Sequence, residues 1–364
     1  MKKVLVLHIG RHKTGTSSIQ ETLRENRIRL KSQGLYFPKS YYANHSITFA
    51  PLFDSRVEHK FFLKETYGLD TVPDIHNKEK KLMKWWIKQF KRFQASNCSH
   101  FIISSEDLSL ATEEMIKNLK EFCAPFFDEV IIIAYYRSAQ DYYCSYIQEK
   151  IRFGSAGINA TENIESVQMF LPTLSLFIKY FGKESICIRR FEQNLLINQN
   201  VVVDFFDTIG FSDVIKTINI IRVNESIGKY SLSLLSNFNA QNKELANRYR
   251  FIQQSLVRIL SNIDEPKNDL SIQFSISVTN AINQEYTLVN QFLSDDQKLM
   301  PLLESEQSTA VGMTALKDIP DSYWINLFKS CLYEIEQLNI EKQQSIQSLF
   351  ITKIKHKLEY YFRK

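Results

Sequence analysis

Residues 8–20 read HIGRHKTGTSSIQ, which brings two histidines, one arginine, one lysine, two glycines and four hydroxyl side chains into a single short run. Gly10 and Gly15 keep the spacing of the G-x-x-x-x-G-K-[ST] loop that cradles nucleoside triphosphates. Thr16 and Ser17 stand where that motif has its lysine and hydroxyl, and Lys13 sits inside the loop instead. In an NTPase the lysine after the second glycine reaches the β/γ-phosphates, and the hydroxyl holds Mg²⁺. A ligand with one 5′-phosphate and a short leaving group needs neither. It needs a lysine beside the scissile bridge, a role open to Lys13. Amides of a glycine-bearing turn and the positive end of a following helix bind phosphate whatever its parent. The hydroxyls of Thr14, Thr16 and Ser17 supply further hydrogen bonds, so the run favours a phosphate-group donor other than ATP.

A second constellation, YYRSAQDYYCSYIQ (135–148), puts Arg137 at the end of an apolar run and Ser145 eight residues further on. Eight residues is just over two helical turns, so the pair suits another phosphate. Transfer to an acceptor hydroxyl also needs a base for the released proton. Glu106 in IISSED ends an apolar run, with Asp107 beside it. His12 neighbours Lys13, and His45 lies in YYANHS, so three candidate bases stay open.

These groups need elements to position them. KVLVLHIG (3–10) is a continuous apolar run, as expected of a parallel strand covered on both faces. TSSIQETLRENRIRLKSQG (16–34) spaces Ile19, Leu23, Ile28 and Leu30 for a helix closed by Gly34. The loop therefore lies between a buried strand and a helix N-terminus, the setting a phosphate site requires. Three more apolar runs follow at 100–107, 128–137 and 184–192, and KKLMKWWIKQFKRFQ (80–94) is helical. This alternation predicts an α/β fold, a doubly wound parallel sheet with a P-loop-like phosphate site at the strands' C-terminal ends. Residues 36–80 are aromatic and irregular, an insertion with short helices. Helical patterns dominate 229–263 and 322–350. The expected division is a core over 1–235 and a helical C-terminal part over 236–364, packed on or extending the core.

The loop HKTGTSS after one strand, joined to Arg137 and Ser145 after a later one, resembles the sulfotransferases that use 3′-phosphoadenosine-5′-phosphosulfate (PAPS). YFGKESICIRRFE (180–192), VVVDFFDTIGF (201–211) and VNESIGKYS (223–231) look like the bacterial glycan-type branch, so the likeness covers roughly residues 3–235. It implies that Arg11, His12, Lys13, Thr14, Gly15, Thr16, Ser17 and Ser18 hold the 5′-phosphosulfate. It implies that Arg137 and Ser145 hold the 3′-phosphate, and that no metal takes part. Lys13 would stabilise the leaving oxygen, and Glu106, His12 or His45 would be the base or meet the acceptor, with Glu106 preferred. The acceptor implied is a polysaccharide or glycolipid hydroxyl, and the aromatic residues of 36–67 suit stacking against sugar rings. Two departures stand out: Arg11 replaces a commoner proline, and Asn224–Ser226 stands in for a K-x-R-K-G segment at the 3′-phosphate.

Composition sets the outer limits. The chain has 364 residues, 44% hydrophobic and 23% charged, ordinary for a globular protein with a large core. A net charge of +5 suits anionic ligands without demanding nucleic acid. Five scattered cysteines with no C-x-x-C argue for reduced thiols in a cytoplasmic protein, against disulfides and zinc. MKKVLVLHIG imitates a leader, but the run meets His8 and no small-residue cleavage site follows, so it reads as the first strand. KIKHKLEYYFRK (353–364) carries five Lys/Arg among apolar residues, a solvated helix or a peripheral contact with the inner membrane surface. The competing readings are a P-loop nucleotide kinase or other NTPase, and a non-catalytic nucleotide-binding relative.

Overall fold

The computed structural model describes residues 1–333 except 41, 57–59, 155–168, 224–226, 242–249, 267–269, 304–309, 313–317 and 332. The basic stretch 353–364, most of the helical pattern 322–350 and the segment 224–226 lie outside the described residues.

Hydrophobic patterning dictates the centre of the fold. β1 (Val4–His8) is buried at every position, as a strand flanked on both sides and covered on both faces must be. It pairs in parallel with β3 (His100–Ser104) on one side and β4 (Glu129–Tyr136) on the other. β2 (Leu35–Tyr36) and β5 (Ile186–Arg190) complete an all-parallel five-stranded sheet of order β2-β3-β1-β4-β5. The sequence reading had not anticipated β2, which is two residues long and carries no periodic signal of its own. Because the chain turns from one side of β1 to the other, the strands' C-terminal ends beside β1 form a switch point, where open α/β sheets bind ligands.

Helices cover the sheet. α1 (Thr16–Glu25) and α2 (Arg27–Ser32) replace the single helix expected over 16–34, because Asn26 leaves helical geometry between them. Its buried amide Nδ2 donates both to the Thr22 carbonyl and, across to another segment, to the Asn219 carbonyl. That second bond begins a ladder. Asn219 N, Ile221 N and Val223 N donate to the side-chain oxygens of Asn26, Thr22 and Ser18. Four helical residues rise about 6 Å and two extended residues about 6.6 Å, so the two periods stay in step.

The insertion includes α3 (Phe61–Tyr67). α4 (Val72–Gln94) starts earlier than the expected 80–94, where the Thr71 hydroxyl accepts from Asp74 N and Pro73 occupies the first turn. α5 (Glu113–Cys123), α6 (Ala139–Arg152), α7 (Leu171–Phe181) and α8 (Val201–Thr208) follow. Beyond them lie α9 (Lys229–Gln241), α10 (Arg250–Ser261) and α11 (Ile276–Val289).

The chain divides into two compact units, and the division does not fall at residue 235. The first comprises Met1–Tyr143, Asn163–Asn224 and Gln273–Thr309, so α11 belongs with the sheet. The physical reason is a buried carboxylate: Glu285 on α11 accepts from Tyr136 Oη at 2.6 Å and pairs with Arg11 at 3.2 Å. Within the second unit, Glu265 caps the start of α9 by accepting from Tyr230 N and Ser231 N, an acid placed at a positive helix end. Among the described residues no helix is long and apolar enough to cross a membrane.

Candidate active site

Residues 9–15 connect β1 to α1 in a turn that only particular backbones fit. Gly15 is left-handed at φ 74, and a Cβ there would lie 2.9 Å from Val201 Cγ1 and 3.0 Å from Phe191. A Cβ on Gly10 would lie 2.5 Å from Thr16 Cγ2 and 3.1 Å from His8 Nε2. Lys13 is left-handed as well, at φ 68, an unusual conformation for a residue with a side chain. Strain of this kind persists where the surroundings hold it. Here Arg137 Nη1 donates to the Lys13 carbonyl at 3.2 Å, and the Thr14 hydroxyl donates back to the Arg11 carbonyl. The N-cap of α1 is Gly15, which has no side chain to cap the first turn. The leading amides and positive end of a helix are the groups that bind anions in other folds.

Beside this loop, on the adjoining strand end, stands Glu106. Its Oε2 accepts from Thr16 Oγ1 at 2.8 Å and its Oε1 from Asn44 Nδ2 at 2.9 Å. The His12 ring lies between two carboxylates, with Nδ1 3.5 Å from Glu106 and Nε2 3.5 Å from Asp107. The His12, Glu106 and Asp107 side chains are 34%, 19% and 31% exposed, so the cluster is shielded yet open to a ligand. On the other side of β1, Arg137 follows β4, with its guanidinium carbon 5.6 Å from the Phe191 ring centre. The loop that carries His12 and Lys13 therefore touches Glu106 on one side and Arg137 on the other, where β3, β1 and β4 end.

The other candidate residues differ in burial and partners. Arg11 is buried, 4.1 Å from the Tyr142 ring centre and paired with Glu285. Burial works against its charge, yet the Glu285 carboxylate and the neighbouring tyrosines hold it above the ordinary arginine range. It braces the loop from beneath. The Ser18 hydroxyl accepts from Val223 N at 3.0 Å, so it serves the ladder. Thr14 is wholly buried, whereas Lys13 and Ser17 are half-buried. Ser145 lies on α6, in the stretch that is assigned to the second unit, whereas Arg137 belongs to the first.

His45 is wholly buried, stacked on Phe37 at 4.8 Å and edge-on to Trp86 at 5.1 Å. Burial pushes its imidazole down to about 3, as it does that of His8 beneath the loop. Phe37, Phe49 and Phe53 of the insertion are buried too, Phe49 packing on Trp86 at 4.7 Å. These three rings build core, whereas Tyr36, Tyr42 and Tyr67 of the same stretch stay partly exposed. The gain from removing so much aromatic surface from water explains where the buried rings go.

Two site residues escaped the sequence reading. Asn44 adjoins His45 and was visible as an Asx residue two positions before a donor amide. Glu285 had no local signal, being 274 residues from Arg11. No family model, curated protein or solved structure matches the chain.

Proposed function

We propose that the chain is a sulfotransferase that moves the sulfuryl group of PAPS to a hydroxyl of a glycan or glycolipid. The observation that carries this reading is that the loop bearing Lys13 is bonded to Arg137 at its backbone and, through Thr16, to Glu106, at the ends of three adjacent strands and at the start of α1. The donor set fits a phosphosulfate. The start of α1 and the Lys13 ammonium would supply the amides and charge that an anion needs, and Arg137, bonded to the Lys13 carbonyl, would supply a second cation. PAPS supplies an activated sulfuryl group on a phosphate leaving group.

The chain's own part is positioning and electrostatics. Glu106, as the base, takes the proton of the acceptor hydroxyl as that oxygen bonds to sulfur. Lys13 stabilises the negative charge on the bridge oxygen as the sulfur–oxygen bond to the 5′-phosphate breaks. The products are a sulfate ester and adenosine 3′,5′-bisphosphate. His12, held between Glu106 and Asp107, adds positive charge beside the transferring group whenever it is protonated.

The test has two arms. Adenosine 3′,5′-bisphosphate at a hundred times its Kd should raise the stability of the fold by about 2.7 kcal/mol, while ATP–Mg²⁺ should not. Labelled PAPS incubated with a panel of polysaccharide and glycolipid acceptors should yield sulfated product. Stabilisation by ATP–Mg²⁺ alone would move the chain to the NTPase reading. Bisphosphate binding without transfer would leave a nucleotide-binding module.

A further inference from the structure

We infer that Asn44 is a positioning residue for Glu106: its side-chain amide holds the Glu106 carboxylate at the mouth of the 9–15 loop. The inference rests on the reading of Glu106 as the base. It starts from the polarity of one amide. Asn44 Oδ1 accepts from Ser46 N at 2.9 Å, and a backbone N–H can only donate. The amide is therefore not free to turn over, and Nδ2 must face Glu106 Oε1, which it meets at 2.9 Å. A carboxylate oxygen accepts hydrogen bonds, and the groups around Glu106 suit it. Thr16 Oγ1 donates to its other oxygen, and His12 Nδ1 lies 3.5 Å from that same oxygen. A carboxylate offers about four lone-pair sites, so one bond on each oxygen leaves capacity to receive an acceptor proton.

The segment that carries Asn44 is tied to the segment that carries Glu106. His45 Nδ1 accepts from Ser104 N at 3.3 Å, Ser46 Oγ meets Ser105 Oγ at 3.2 Å, and Asp107 N donates to Ser46 Oγ at 3.0 Å. Residues 44–46 thus engage residues 104–107 at successive positions, and His45 is anchored in the aromatic core. A glutamate has three rotatable side-chain bonds, and a base that wanders by an ångström can forfeit about a hundredfold in rate. The Asn44 amide removes that freedom from outside the loop.

Asn44→Asp separates this role from a structural one. Aspartate has the same shape and keeps the oxygen that accepts from Ser46 N, so the turn survives. It replaces the donor facing Glu106 with a second carboxylate, which repels it. We expect Asn44→Asp to keep the wild-type melting temperature and affinity for adenosine 3′,5′-bisphosphate. Its kcat should fall about a hundredfold or more with little change in the KM for PAPS, and Asn44→Ala should fall less. A crystal structure of Asn44→Asp should show the Glu106 carboxylate turned away from Thr16, a readout independent of turnover. If Asn44→Asp restores activity that Asn44→Ala loses, or if Glu106 stays in place, Asn44 is only a turn residue and the inference is overturned. If Glu106 moves while sulfuryl transfer continues at the wild-type rate, the positioning stands and Glu106 is not the base.

Discussion

Lys13 combines a cation with a left-handed backbone. Its left-handed φ of 68 is held by Arg137 on its carbonyl, so the ammonium departs from a fixed origin. Under the proposed reading Lys13→Ala should lower turnover by ~10²-fold or more with a much smaller change in bisphosphate affinity, because the charge it meets develops in the transition state. Steady-state kinetics beside equilibrium binding of the product check this; equal losses in both would make Lys13 an ordinary ligand of the ground state. Glu106→Gln keeps the shape and the hydrogen-bond acceptor for Thr16 but cannot take a proton. It should fold and bind donor normally while losing ~10²–10⁴ in rate. A variant that retains full turnover would shift the base to His12, the other candidate within the cluster.

At the scale of elements, the site depends on how β1 hands over to α1. The turn needs Gly15 for two separate reasons, a left-handed φ of 74 and the close approach of Val201 and Phe191. Gly15→Ala should therefore cost at least the roughly 1–2 kcal/mol of a left-handed side-chain residue, with the contact to Val201 of α8 adding to it. Denaturant unfolding measures that loss. A neutral result would mean that the loop readily takes another path. The ladder from Ser18, Thr22 and Asn26 to residues 219–223 shows why two hydroxyls near the loop do different work. Thr16 faces Glu106, whereas Ser18, two residues on, faces the opposite way along the helix. Helical periodicity alone separates them by about 200°.

The whole molecule adds long-range supports. Arg11 and Glu285 form a buried ion pair, 5% and 1% exposed, that ties the loop to α11. Glu285→Ala strands the guanidinium and should destabilise the chain by about 3–5 kcal/mol in denaturant unfolding, whereas replacing both partners with apolar residues should recover much of it. If the single variant costs nothing, α11 does not brace the loop. Acid should also weaken the fold. His8 and His45 are buried with imidazoles pushed down to about 3, while in the unfolded chain each takes up a proton near its ordinary 6.5. Between those values the unfolded state binds more protons. Stability is therefore complete above about pH 6.5 and falls as pH drops toward 3, by up to about 1.4 kcal/mol per pH unit for each histidine. His45→Phe should flatten this slope over the range pH 4–6. An unchanged slope would mean that other groups set the acid response.

The parallel α/β layer was legible in the sequence because β1, β3 and β4 announce themselves as apolar runs, the mark of strands inside a covered sheet, and the edge strand β5 as a shorter one ending in Arg189 and Arg190. The strand ends at Glu106 and Arg137 and the glycine-bearing turn could be read the same way, since each directly borders such a run. What the sequence could not settle was which polar groups face one another. Asn44 meets Glu106 across 62 residues and Arg11 meets Glu285 across 274, and no local period records such a partner. The same limit sent His45 and its aromatic neighbours into the core, because patterning tells that rings will be buried but not what they will cover. Local chemistry determined the elements and their ends, and only the close packing of distant segments decided which side chains share a site.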